Sequence, residues 1–260
     1  MKTAEKAKTV ALTVAILLLI LVIIVALALL GQRRGAGPGF FAQVEACIAA
    51  GSGTTEEISL TYFDVPNQGF EPVSAELRGC EGAVGVEITD VRERDSDGAV
   101  RSYALDICFS FDKSGVYHAS ELVLTYPEGS STHVIGDWCF DVADETETLA
   151  VDSYSTVYAT SKTDALPYRY IFDDGVSDGD KVYLEYCERR TPALGIENGE
   201  ISGEVELPES RYALRLIRPR IVVERGGETF YAYPVAACQC GYLDFDEDDF
   251  NASRLMALGE

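Results

Sequence analysis

The chain has 260 residues and is strongly acidic, with 43 Asp and Glu residues, 21 Lys and Arg residues and a net charge of −22. Glu5 is the only acidic residue before residue 40, so the excess negative charge belongs to residues 40–260. This charge argues against nucleic acid and anionic membrane surfaces as partners of that region, because both are bound by basic residues. We therefore expect no nucleic-acid binding.

An uncharged apolar segment near the N-terminus, residues 9–30, predicts a transmembrane helix. Its sequence is TVALTVAILLLILVIIVALALL, in which two threonines are the only polar residues. A helix of this length extends about 33 Å, which is enough to cross a hydrocarbon core of about 30 Å. We interpret it as an uncleaved signal anchor that contacts the lipid bilayer through residues 9–30 and leaves residues 1–8 as a short tail.

Two other fates of this segment stay open. Three lysines precede it, and Ala26-Leu27-Ala28 resembles the cleavage site of a secretory signal peptide. Removal of a short basic leader at Lys6-Ala7 would instead resemble pilin processing, and it would make the chain a filament subunit whose apolar helix packs in a fibre core. Either cleavage would leave the interpretation of the following domain unchanged.

The cysteines indicate on which side of the membrane the large domain lies. All seven follow residue 46, and a large cysteine-containing domain suits an oxidising compartment. The charges that flank the helix give little information about its orientation, since three lysines precede it and two arginines follow it. We expect a cell-membrane protein with a cytoplasmic N-terminus, a flexible linker at 31–39 and an extracytoplasmic domain at 40–260.

The domain begins with FFAQVEACIAA at 40–50, for which we predict a short helix or a continuation of the stalk. The pattern then turns to runs rich in Val, Ile, Tyr, Phe and Thr, separated by turn signals such as Asn198-Gly199 and Gly226-Gly227. We predict strands at 58–63, 83–91, 100–111, 116–126, 133–142, 149–159, 168–172, 181–186, 201–207, 212–223 and 229–235.

These strands predict a mainly β fold, an antiparallel β-sandwich that is one large unit or two small ones. The intervals between strands leave no room for the crossover helices of a parallel sheet. Within 103–111 apolar residues alternate with Asp106 and Ser110, so one face of that strand is expected to meet the core. The polar stretch near 142–149 is the candidate boundary between two subdomains.

All seven cysteines are candidates for disulfides, and their odd number leaves at least one free or intermolecular thiol. Cys238 and Cys240 lie two residues apart, which on a regular strand places them about 6.5 to 7 Å from each other, too far for a mutual bridge. A metal site is the weaker alternative, because no CxxC motif occurs. The candidates are Cys47, Cys80, Cys108, Cys139, Cys187, Cys238 and Cys240.

The C-terminal acidic stretch contains weak candidates for cation binding at Asp244, Asp246 and Asp248. Their spacing resembles the start of a calcium loop, but the glycine and the final glutamate that such a loop requires are missing. We expect a solvated acidic segment there instead. Asn251-Ala252-Ser253 is a candidate glycosylation site at Asn251.

No catalytic motif is present, so we assign no catalytic residue, metal site or cofactor. In residue types alone, Cys187, His118 and Arg189 or Arg190 resemble the thiolate, the acid–base group and the oxyanion-stabilising group, respectively, of a sortase-like transpeptidase. The chain departs from the sortase pattern Thr-Leu-x-Thr-Cys, because it has Tyr-Leu-Glu-Tyr-Cys at 183–187.

Arginines form one basic stretch within the acidic domain, at Arg211, Arg215, Arg218 and Arg220. We expect them to pair with carboxylates of the same domain, and the alternative is a docking surface for the acidic face of another copy. The function we expect is non-enzymatic: an anchored β-sandwich with a structural or binding role among envelope proteins, or in self-association.

Overall fold

The computed structural model describes residues 39–64, 69–95, 101–144, 158–172 and 176–241. These residues form strands, turns and bends, with no helical residue among them. Accordingly, none of the described segments is a helix that could cross a bilayer. The predicted transmembrane segment 9–30 lies outside these ranges, as do Asp244, Asp246, Asp248 and Asn251.

Seventeen strands occur in the described residues, and they confirm a β-rich fold. Their bounds are β1 Phe40–Phe41, β2 Val44–Gly51, β3 Thr55–Asp64, β4 Ser74–Leu77, β5 Val84–Asp95, β6 Arg101–Phe111, β7 Gly115–Tyr126, β8 Gly129–Ala143, β9 Ala159–Thr160, β10 Ala165–Ile171, β11 Lys181–Tyr186, β12 Arg189–Arg190, β13 Glu200–Glu206, β14 Arg215–Arg218, β15 Arg220–Arg225, β16 Glu228–Ala232 and β17 Cys238–Cys240.

The strands form four sheets. Sheet I has the order β1-β3-β6-β5, and sheet II has the order β4-β7-β8-β2-β14-β17-β9. Sheet III pairs β10 with β13, and sheet IV has the order β12-β11-β15-β16. Sheets I and II together form a β-sandwich, because their facing side chains share one hydrophobic core.

The first core confirms the predicted alternation along β6. Tyr103, Leu105, Ile107, Phe109 and Phe111 all point into it, and each is less than a tenth exposed. From sheet II the core receives the rings of Trp138 and Phe140, whose centroids lie 5.7 and 5.4 Å from that of Phe109. Burial of each such side chain stabilises the fold by about 1.5 to 3 kcal/mol.

The prediction of a helix or stalk at 40–50 is wrong, because most of these residues form β2 in the interior of sheet II. Ala46 and Ile48 face the first core, while Cys47 on the opposite face packs in a separate small cluster. A strand that is buried on both faces shows a continuous apolar run rather than an alternating one. That run cannot be told from a helix by its periodicity.

Sheet II is mixed, so the expectation of purely antiparallel pairing is also wrong. β2 runs parallel to both β8 and β14, and β9 runs parallel to β17. Parallel neighbours need a long crossover connection. Between β2 and β8 the described part of that connection contains five other strands and no helix, which is why the short intervals did not reveal it.

The predicted strand at 212–223 is divided into β14 and β15, which belong to different sheets. Pro219 separates them, and proline has no N–H to donate to a ladder. β15 and its partners β11 and β16 contribute to a second core, which contains Val182, Leu184 and Ile221 among others. A third small cluster, around Cys47 and Ile217, lies where β11 crosses sheet II.

The first core takes its residues from 41–142, with Leu214 and Leu216, and the second core takes its residues from 168–232. The predicted boundary near 142–149 extends into residues that are not described, so the division into two subdomains stays a prediction. Most of the predicted strand at 149–159 also lies outside the described residues.

Candidate functional site

The hairpin between β11 and β12 ends in an unusual two-residue turn made of Cys187 and Glu188. Tyr186 pairs with Arg189, and both turn residues have positive φ, 45° and 59°. A two-residue hairpin of this kind is a type I′ turn, which usually contains Asn or Gly. Each larger residue in this left-handed conformation costs about 1 to 2 kcal/mol. The turn therefore has a backbone conformation that Cys187 and Glu188 intrinsically disfavour.

A disulfide fixes the tip of this hairpin to sheet II. Cys187 is bonded to Cys47 of β2, with their Cα atoms 5.6 Å apart and a separation of 140 positions in the sequence. Cys47 is almost fully buried. A sulfur in a disulfide is not a thiolate, so the sortase-like interpretation loses its nucleophile.

A third cysteine lies directly beside this disulfide. Cys139 of β8 is the register partner of Cys47 on the neighbouring parallel strand. The residues before them, Trp138 and Ala46, face the first core, so both cysteines point to the opposite, outer face of sheet II. Neighbouring strands lie about 4.8 Å apart. His118 of β7 is the register partner of Cys139 on its other side.

An open cavity of about 480 Å³ gives solvent access to this row of residues. Cys139 and Cys187 both line it, so the thiol and one sulfur of the disulfide share one wall. The full lining is Glu45, Ala46, Arg78, His118, Ala119, Ser120, Asp137, Trp138, Cys139, Cys187 and Glu188. We define the cysteine cluster as Cys47, Cys139 and Cys187.

The electrostatic surroundings keep Cys139 protonated. Burial raises the pKa of its thiol to about 11, and the negative charges of Asp141 and Glu188 add to the effect. The attacking form in thiol chemistry is the thiolate. At neutral pH the thiol beside the disulfide is therefore present mostly in its unreactive form.

Most charged groups of the cavity are already neutralised by partners. Glu45 accepts from Arg215 at 3.0 Å, and Asp137 accepts from Arg211 at 2.9 Å. Arg78 donates to Glu121 at 2.7 Å. The charges of Glu45, Asp137 and Arg78 are therefore balanced within the protein.

The arginine stretch pairs with carboxylates of the same domain, as predicted, and the alternative of an arginine docking surface is wrong. Three of its four members are less than a tenth exposed, so they are not available to another copy. The pairs are Arg211 with Asp137, Arg215 with Glu45, Arg218 with Glu56, and Arg220 with both Asp141 and Glu185.

The most deeply buried of these pairs joins Glu56 of β3 to Arg218 of β14, with 2.9 Å between Oε2 and Nη1. Burial raises the pKa of Glu56 to about 7, although the charge of Arg218 opposes this change. The Oε1 atom of Glu56 has no hydrogen-bond partner. Arg218 also donates to the backbone oxygen of Pro234 at 2.8 Å.

The other candidate cysteines are unbridged. Cys238 and Cys240 are buried thiols hydrogen-bonded to each other, an interaction that, with burial, raises the pKa of Cys238. No disulfide joins Cys238 to Cys240. Cys80 donates from Sγ to the backbone oxygen of His118 at 3.3 Å, and Cys108 is half-buried on the outer face of sheet I. The described residues contain no group of three potential metal ligands.

The cysteine cluster has no signature in the sequence, although each of its cysteines is a predicted disulfide candidate. The pairing of Cys47 with Cys139 depends on a parallel register between distant strands, and no local signal encodes it. The Cys187-Glu188 turn was missed because neither residue is typical of a left-handed turn.

Comparisons with known proteins assign neither a family nor a function. No protein-family model and no curated protein matches the sequence. Among solved structures, the secreted serine protease VesC from Vibrio cholerae is 10% identical with a TM-score of 0.27, covering 76% of this chain and 51% of that one. This chain thus spans about half the length of the VesC chain.

Two further solved structures give likenesses of the same order. Titin domains Z1Z2 in complex with telethonin are 13% identical with a TM-score of 0.22, covering 77% of this chain and 97% of that one. Zebrafish RET cadherin-like domains 1 to 4 are 9% identical with a TM-score of 0.27, covering 80% and 52%. Likenesses this weak assign no function to the chain.

Proposed function

We propose that this chain is a membrane-anchored, extracytoplasmic β-sandwich protein with a non-enzymatic structural or binding role in the cell envelope. The observation that carries the proposal is the disulfide between Cys47 and Cys187. Disulfides of this kind form and persist in oxidising compartments and are rare in the cytosol. The apolar segment 9–30 supports the anchor, because its length and lack of charge suit a bilayer.

A structural or binding role is supported by how the described domain is held together. Arg218 connects β14 to β3, and Arg220 connects β15 to β8 and β11. The disulfide adds a covalent connection between β2 and the β11–β12 hairpin. A domain fixed at several points suits the presentation of a surface to envelope proteins or to another copy.

The proposal is tested by labelling intact cells with a membrane-impermeant maleimide. Cys108 is the target, because its thiol is unbridged and half-buried on the outer face of sheet I. We expect the natural chain to be labelled in intact cells, and we expect weaker labelling in a Cys108→Ser variant. A Thr3→Cys variant on the Cys108→Ser background provides the cytoplasmic control, and its new thiol is expected to react only after lysis. Labelling of Cys108 only after lysis contradicts the proposed location.

The intact mass of the protein distinguishes the anchor from its alternatives. We expect a membrane-bound chain that retains residues 9–30. A mature chain starting at Ala7 would indicate pilin-like processing and a filament subunit. A chain starting after Ala28 would indicate a cleaved secretory signal, and it would overturn the anchor while leaving the domain outside the cytoplasm.

A further inference from the structure

We propose that the cysteine cluster is a thiol–disulfide exchange site, in which Cys139 attacks the Cys47–Cys187 disulfide and releases Cys187 into the cavity. The released thiol would then react with disulfides of other molecules. This goes beyond the proposed structural role, because it gives the domain a chemical activity toward a defined class of substrate.

The first support is position. Cys139 and Cys47 are direct register partners on parallel strands, and both point to the outer face of sheet II. At a strand separation of about 4.8 Å their Cα atoms fall within the range of about 4.4 to 6.8 Å found in disulfides. The register of sheet II therefore places Cys47 and Cys139 at a Cα separation compatible with a disulfide.

The second support is the identity of the leaving group. Cys187 lies at a hairpin tip and lines the open cavity, whereas Cys47 is buried in the third cluster. Release of Cys187 also allows the left-handed turn at Cys187 and Glu188 to relax. Exchange in this direction therefore exposes a new thiol and removes a local constraint.

The reaction balances without an external oxidant or reductant. Cys139 loses its proton to water, and its thiolate attacks the Sγ atom of Cys47. The Cys139–Cys47 bond forms as the Cys47–Cys187 bond breaks, and Cys187 leaves with the electron pair and takes up a proton. In a second exchange, the Cys187 thiolate attacks a substrate disulfide, forms a mixed disulfide and releases one substrate thiolate.

The charges around Cys139 set the pH dependence of the first step. Asp141 and Glu188 disfavour its thiolate, while the charge of Asp141 is partly neutralised by Arg220. Below the pKa of the thiol, each pH unit increases the thiolate fraction, and with it the exchange rate, about tenfold. The other charged or titratable groups facing this site are Glu45, Arg78, His118 and Asp137.

The first experiment uses the natural full chain with oxidised glutathione as the substrate disulfide. The reaction is stopped with acid, free thiols are blocked with N-ethylmaleimide, and peptides are mapped by mass spectrometry. We expect glutathione on Cys187 together with a Cys47–Cys139 bridge, at a rate that rises with pH from 7 to 9 and does not depend on protein concentration. Retention of Cys47–Cys187 at every pH, or exchange only between molecules, overturns the proposal.

Variants locate the attacking thiol. Cys139→Ser is expected to abolish glutathione addition at Cys187, and Cys108→Ser is the matched control that leaves it unchanged. Addition at Cys187 that persists in Cys139→Ser overturns the role of Cys139.

A third variant tests the reach of Cys139 without glutathione. In Cys187→Ser, air oxidation is expected to yield a Cys47–Cys139 bridge. Two free thiols at Cys47 and Cys139 in a folded, oxidised sample contradict the geometry. If this variant does not fold, the measurement on the natural chain still decides the proposal. Failure of the exchange would leave the proposed membrane location intact, since that location is tested separately by labelling of Cys108.

Discussion

Reduction of the Cys47–Cys187 disulfide is expected to destabilise the domain mainly through its unfolded state. The bridge closes a loop of 140 positions, and the chain-entropy relation assigns such a loop about 5 kcal/mol. Urea unfolding of the full chain in detergent, with and without a thiol-free reductant, measures this difference. Trp138 is the single tryptophan and is 1% exposed, so its fluorescence reports the unfolding of the first core.

The matched control is a Cys47→Ser/Cys187→Ser double variant. This variant has no Cys47–Cys187 disulfide to reduce, so its unfolding free energy should not change when the reductant is added. The value should lie near that of the reduced natural chain. A difference below about 1 kcal/mol between the oxidised and reduced natural chain would refute the entropic reasoning. It would mean that the reduced, unfolded chain retains structure that keeps the two cysteines close.

Three further predictions concern single positions. Glu188→Gly should raise the unfolding free energy by about 1 kcal/mol by removing a side chain from a left-handed turn, whereas Glu188→Ala should change it little. Because burial raises the pKa of Glu56 from 4.5 to about 7, the folded protein binds this proton more tightly than the unfolded chain, and stability should fall as pH rises through that window. Glu56→Gln should flatten this dependence in pH-resolved urea titrations. Gly136→Ala should lower the unfolding free energy by at least about 3 kcal/mol, since its Cβ would overlap the backbone oxygen of Val44 in β2. Gly53→Ala, whose Cβ would have no atom within 4 Å, should lower it by about 1 kcal/mol in the same assay.

The parts of the fold that could be predicted are those with a local physical signal. β6 alternates because one face meets the core and the other meets polar groups, so its sequence shows a period of two. The turn signals Gly226-Gly227 and Asn198-Gly199 are confirmed, because all four residues have positive φ, as such turns require. β2 was missed because burial on both faces removes the alternation. β14 and β15 are predicted as one strand because apolar residues occur on both sides of Pro219, and that proline is the single break signal between them.

The site was less predictable than the fold, because its chemistry depends on contacts between distant residues. The arginines at 211–220 were expected to find carboxylates, but the sequence contains 43 acidic residues and does not say which. The cysteines presented the same difficulty. Neither the bridge between Cys47 and Cys187 nor the position of Cys139 beside it follows from spacing along the chain.

The arginine pairs determine what an exchange of the disulfide can do to the folded protein. Arg220 contacts Asp141 of β8 at 3.1 Å and Glu185 of β11 at 3.3 Å. Glu185 lies two residues before Cys187, so the body of the hairpin remains attached to sheet II when its tip is released. The disulfide therefore stabilises the fold mainly by restricting the unfolded chain, while the native arrangement of β11 is maintained by Arg220. This division allows Cys187 to leave without separation of the two cores, which is the condition that an exchange site within a structural domain must meet.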